Sequence, residues 1–152
     1  MKKLIILASF LGVVSAQACP TFSGKYICSA TTGELSPTFE MVILTSPAGV
    51  VTVVGANSQF EMNGSGQLET EMNNDENGTV TNFSKISQCT GDDSIGLKTM
   101  SESHNGTSSS HGEISILFKK LSENKLEWTG QSKSVIDGVV ETVNLSPTIC
   151  TK

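Results

Sequence analysis

Glu113-Ile114-Ser115-Ile116-Leu117-Phe118-Lys119-Lys120-Leu121, then Ser122-Glu123-Asn124, then Lys125-Leu126-Glu127-Trp128, is the stretch that decides the fold class. Ile114, Ile116 and Phe118 recur every second residue, which places them on one face of an extended strand. Ser122-Glu123-Asn124 is a turn, and Leu126 with Trp128 repeats the same alternation on the way back. One face of this hairpin is therefore apolar, and it needs a partner layer or a curled sheet to cover it.

The same pattern runs outward in both directions. Strand-like segments lie at 22–28, 38–45, 50–54, 58–62, 68–72, 79–89, 94–101 and 139–145. Turn chemistry separates them: Thr-Thr-Gly at 31–33, Ser46-Pro47, Gly91-Asp92-Asp93, three Asn-Gly pairs (63–64, 77–78, 105–106) and Asp137-Gly138. Asn-Gly and Asp-Gly tolerate the positive φ angles that two-residue hairpin turns require. Beyond residue 18 no segment holds apolar residues at helical spacing. Connections this short join neighbouring antiparallel strands. The expected fold is all-β, an antiparallel up-and-down β-barrel of about 8–10 strands, with a β-sandwich as the alternative.

Residues 1–18 read as a secretory signal. Lys2 and Lys3 precede an apolar run from Leu4 to Val14, and Ala16-Gln17-Ala18 offers small residues for cleavage. The run is too short to cross a bilayer core of about 30 Å. The compact Lys-Lys start fits a bacterial signal. Cleavage after Ala18 removes 18 of the 152 residues, leaving 134 as a single domain, 19–152, large enough for a real core. It also removes two lysines, which takes the net charge from −5 to −7. The expected location is periplasmic or extracellular.

All ten basic residues are lysine. Arginine is the usual fork for phosphate and guanine edges, so its absence, with a pI near 4.9, argues against nucleic acid as a partner. It also argues against docking on anionic lipid. An acidic exported chain would instead meet a basic protein partner.

Cys19, Cys28, Cys89 and Cys150 form an even set, which in an exported chain implies two disulfides. Cys19 and Cys28 would stand about 27–30 Å apart in an extended strand, far beyond disulfide reach. Of the two remaining pairings, adjacency of first and last strands favours Cys19–Cys150 with Cys28–Cys89. A lipid anchor on Cys19 is the alternative use of that residue, although Ala16 departs from the usual lipobox.

Phe22-Ser23-Gly24-Lys25-Tyr26 resembles the opening strand of lipocalin-like barrels, with Tyr26 where that family usually carries tryptophan. The resemblance covers one strand, and the family's floor-capping arginine is absent. It implies an up-and-down barrel with an interior cavity for a small apolar ligand. The alternation marks Tyr26, Phe39, Met41, Met62, Phe118 and Trp128 as the interior residues available to such a ligand.

Other chemistry is thinly represented. His104 and His111 with Glu102 or Glu113 form the one combination with metal-ligand types, and Asp92-Asp93 and 73–77 offer oxygens without a known calcium spacing. Turn and surface roles explain each more simply, so no metal or cofactor is expected. Glu69 and Glu71 share one strand face and read as its solvent side, opposite Leu68, Thr70 and Met72. No Gly-x-Ser-x-Gly elbow exists, and Ser65 sits only in a turn. Five Asn-x-Ser/Thr sequons begin at Asn63, Asn77, Asn82, Asn105 and Asn144. The expectation is a non-enzymatic exported barrel that binds a small apolar ligand. The alternative is a secreted interaction or inhibitor protein acting through its acidic surface and loops.

Overall fold

A computed structural model describes residues 19–31, 38–55, 59–76, 78–106 and 108–152. The expected signal segment 1–18, and with it the expected cleavage site, lies outside the described residues, as do Gly33 and Asn77. Ten strands follow in order: β1 (Gly24–Ala30), β2 (Phe39–Thr45), β3 (Val51–Val54), β4 (Gln59–Met62), β5 (Ser65–Asn74), β6 (Val80–Cys89), β7 (Ser94–Asn105), β8 (Ser108–Ser122), β9 (Lys125–Ile136) and β10 (Val139–Thr151). They form one antiparallel sheet in the order β4-β3-β2-β1-β10-β9-β8-β7-β6-β5, curled into a half-barrel. Apart from β1 beside β10, every neighbour in space is also a neighbour in sequence, as an up-and-down meander requires.

The alternation that marked 113–121 sets the inward face. Phe118 stands opposite Trp128 on one side and Ile95 on the other, and Ile116 stands opposite Leu97. The core is built at the end where the short strands β1–β4 face the ends of the long ones. Phe22, Ile43, Val51, Met62, Ile95 and Leu126 are almost fully buried there.

Two local devices keep this face in phase. Asp137 and Gly138 both hold positive φ (48° and 83°), which gives the tight turn joining β9 to β10 with Ile136 opposite Val139. Further along β10, Leu145 pairs with Gly130, yet Thr148 already pairs with Trp128. The extra residue is a bulge around Ser146-Pro147. Leu145 and Cys150 lie an odd number of positions apart, so a regular strand would send them to opposite faces; the bulge turns both inward. Pro147 has no N–H to lose there, and its carbonyl accepts from the Thr31 N–H at 2.8 Å.

The half-barrel is closed at one corner. Asn63-Gly64 links β4 to β5, the two edges of the sheet. The buried Ser87 hydroxyl accepts from the backbone N–H groups of Asn63 (3.0 Å) and Gly64 (3.1 Å), and donates to Asn63 Oδ1 (3.0 Å). The Cys19–Cys89 disulfide packs directly on Gly64.

The disulfides differ from the expected pairing. They join Cys19 to Cys89 and Cys28 to Cys150, not Cys19 to Cys150 and Cys28 to Cys89. The first and last strands are indeed neighbours, but register decides which cysteine meets which. Cys28 lies directly opposite Cys150. Cys19 precedes Cys28 by nine residues, while the β1–β10 ladder ends at Ile27 opposite Thr151, so Cys19 lies past the end of β10 and meets Cys89 across the closed corner. With its sulfur in that bond, Cys19 has no thiol for a lipid anchor. The bridges span 70 and 122 residues, and the chain-entropy account assigns about 4–5 kcal/mol to each.

Removing the Ser87 hydroxyl orphans two part-buried N–H groups, so Ser87→Ala is expected to cost about 1–2 kcal/mol in chemical denaturation. Gly64 holds φ 64°, and a Cβ there would overlap both disulfide sulfurs. Gly64→Ala is expected to cost about 2–4 kcal/mol. In a Cys19→Ala/Cys89→Ala background the same substitution should cost measurably less; an unchanged cost would remove the packing account.

Candidate ligand cavity

Where the short strands end and the long strands continue, the concave side holds an apolar, half-open cavity of about 210 Å³. β2 supplies Phe39 and Met41, β3 supplies Val53, and β4 supplies Phe60. Ile116 and Phe118 of β8 and Trp128 of β9 form the opposite wall, with Gly55 at the edge. The aromatic rings make a tilted row: Phe60 to Phe118 at 6.1 Å between centroids, Phe118 to Trp128 at 6.5 Å. Tilted contacts of this kind stabilise beyond their buried area. The Trp128 indole N–H is buried and meets no acceptor among the described residues.

Four of the six residues expected in the interior line this cavity: Phe39, Met41, Phe118 and Trp128. Tyr26 and Met62 do not reach it. Both are buried in the closed end, where the Tyr26 hydroxyl donates to the Phe22 carbonyl at 2.7 Å and Lys152 Nζ lies 5.4 Å over its ring. Val53, Phe60 and Ile116 complete the lining. Ile116 was visible in the alternation with Phe118; Phe60 and Val53 join through the curl of the sheet, which carries no sequence mark.

The remaining candidates take structural roles. Glu102 Oε1 lies 3.5 Å from His111 Nδ1, and Glu113 pairs with Lys98 at 3.0 Å. His104 shares their outer face. Among the described residues no three His, Cys, Asp or Glu side chains converge to hold a metal ion. Asp93 accepts from the Ser94 hydroxyl at 2.6 Å, and Asp75 accepts from the Thr79 N–H at 2.8 Å; both organise their own turns. Asn63 and Ser65 bond to each other within the corner turn.

On β5 Glu69 and Glu71 are exposed as expected, and Leu68, Thr70 and Met72 on the opposite face are exposed as well. Glu69 stands opposite Lys85 and Glu71 opposite Phe83, on the same face of β6 as the buried Ser87 and Cys89. The carboxylates therefore occupy the concave side, while Leu68, Thr70 and Met72 face outward. Beyond the corner the long strands continue as a single layer with no core beneath them, so nothing forces the apolar set inward. A depression of about 480 Å³ lies here, bordered by the carboxylates of Glu71 and Glu102.

No family model, curated protein or solved structure matches this chain. Among the described residues no helix is long and apolar enough to cross a membrane.

Burial raises the Tyr26 pKa above its ordinary 10.0. Between that value and the higher folded one, the unfolded chain has released the proton while the folded chain retains it. Stability therefore falls as pH rises through this window. Tyr26 is the one tyrosine in the chain, so the phenolate absorbance reports it alone. The titration midpoint of the folded protein is expected above 10.0, and Tyr26→Phe should flatten the alkaline loss of stability. A midpoint at 10.0 would mean the ring is not desolvated.

Proposed function

We propose that this chain is an exported binding protein that holds a small apolar ligand at the mouth of its half-barrel. The observation that carries this reading is the 210 Å³ cavity, walled by Met41, Phe60, Phe118 and Trp128 and almost free of polar groups. An enclosed dry cavity of about 150 Å³ in another protein holds benzene, and this half-open pocket has room for a group of that size. The ligand class is accordingly a single aromatic ring with a small substituent, or a short branched alkyl chain. Recognition is by shape and desolvation. A ligand of this size binds with a dissociation constant on the order of 0.1–1 mM.

Two further features support the reading. The lipocalin-like opening strand implies a barrel with an interior ligand, and the two disulfides suit an oxidising, exported compartment. The cross-strand bridge Cys28–Cys150 ties β1 to β10 beneath the cavity, which keeps its two walls at a fixed separation.

Trp128 is the single tryptophan, so its fluorescence reports the cavity directly. Iodobenzene, which carries a heavy quenching atom on a ring of suitable size, is expected to quench Trp128 in a saturable manner, whereas free iodide should not saturate. Ile116→Lys places an ammonium at the cavity wall and should weaken binding at least tenfold while circular dichroism stays unchanged. Linear, non-saturating quenching by iodobenzene would refute the proposal.

A further inference from the structure

The outer edge of β5 is a second place where this molecule is incomplete, independent of the cavity. β5 pairs with β6 along one side, from Leu68 opposite Ile86 to Asn74 opposite Val80. Its other side ends the sheet, so along these seven residues every second one, three or four in all, presents a backbone N–H and C=O with no ladder partner among the described residues. Such an edge is a template for another extended chain.

The side chains along it select the occupant. On the concave face stand Glu69 and Glu71. Glu69 is engaged by Lys85 at 2.9 Å and accepts from Asn63 Nδ2 at 2.5 Å, while Glu71 lies opposite Phe83 and has no ion-pair partner among the described residues, so Glu71 is the carboxylate free to meet a partner. On the outer face Leu68 and Met72 are 58% and 66% exposed. A second copy of β5 is disfavoured by charge. An antiparallel pairing centred on Thr70 that keeps the concave faces together sets Glu69 opposite Glu71 twice. Moving the centre by one residue either way sets Glu69 against Glu69 or Glu71 against Glu71. Like charges directly opposite destabilise a strand pair, and the chain as a whole is acidic.

We propose that the free edge of β5, residues 67–74, docks an extended segment of a partner protein in which basic and apolar residues alternate. The partner's basic side chains meet Glu71, and the already engaged Glu69 beside it, on the concave face. Its apolar side chains lie beside Leu68 and Met72 on the outer face, and its backbone completes the ladder. Backbone pairing supplies the binding and the alternation supplies the selectivity.

The test uses the oxidised protein from residue 19 and a labelled Lys-Val-Lys-Val-Lys-Val-Lys peptide, followed by fluorescence anisotropy. The peptide is expected to bind, and more weakly at high salt. A Lys-Lys-Lys-Lys-Val-Val-Val peptide of equal composition should bind at least tenfold more weakly. Glu71→Gln should weaken the alternating peptide about two- to five-fold, the range of one cross-strand charge pair. Two further peptides carry N-methyl groups on either the lysines or the valines. Successive N–H groups point to opposite sides of a strand, so one should bind like the parent and the other at least tenfold more weakly. Equal binding of both methylated peptides would reduce the interaction to surface charge and overturn the proposal. Absence of binding by the parent peptide would also overturn it, and would leave Glu69 and Glu71 as charges that merely keep the edge from pairing.

Discussion

The fold depends on one short connection. β4 ends at Met62 and β5 begins at Ser65, so three Cα steps, about 11 Å at most, separate them. Yet β4 and β5 are opposite edges of a ten-stranded sheet, which laid flat would hold them about 43 Å apart. The chain therefore cannot form all its ladders without curling until the edges touch. Ser87, Gly64 and the Cys19–Cys89 bridge occupy the point of contact. Gly64 leaves the sulfurs room, the Ser87 hydroxyl satisfies the turn's N–H groups, and the disulfide holds the corner against the entropy of the closed loop.

Curling at one corner divides the molecule into two regions with different physics. Four short strands, β1–β4, cover only the near ends of the longer strands β6–β10, and the buried core lies between them. Beyond that cover the long strands continue with both faces in water, which explains why Leu68, Met72, Val139 and Val140 are exposed although they lie on regular strands. The apolar cavity sits at the boundary. There the core-facing row of Ile116, Phe118 and Trp128 runs out from beneath β2, β3 and β4. A sheet closed along its whole length would have filled this space with side chains, and a flatter one would have left it as open surface.

Much of this was legible in the residues. The alternation of Ile114, Ile116 and Phe118, its return through Leu126 and Trp128, and the Asn-Gly and Asp-Gly turns mark strands and hairpins because both depend on chemistry within a few positions. Four cavity residues could be named for the same reason. Glu69 and Glu71 do lie on a solvent-exposed face of β5, as expected; that the face of Leu68, Thr70 and Met72 is equally exposed was not legible, because alternation shows which residues share a side without saying whether that side is covered. The cysteine pairing was misread for a related reason. That β1 and β10 are neighbours follows from the meander; that Cys28 rather than Cys19 stands opposite Cys150 is a matter of register, and the bulge at Ser146-Pro147 is part of that register.

The sequence alone determined the all-β class, the up-and-down order, the two disulfides as a number and the apolar row that becomes the cavity wall. These are short-range properties: side-chain period, turn conformations and cysteine parity. Tertiary structure decided where the sheet closes, which cysteines meet, which face of β5 turns inward and where the cavity opens. Each of those depends on the register between strands up to 122 residues apart and on a curl set by a single two-residue link. No local preference encodes that geometry; it arises only when all ten strands must satisfy their ladders at once.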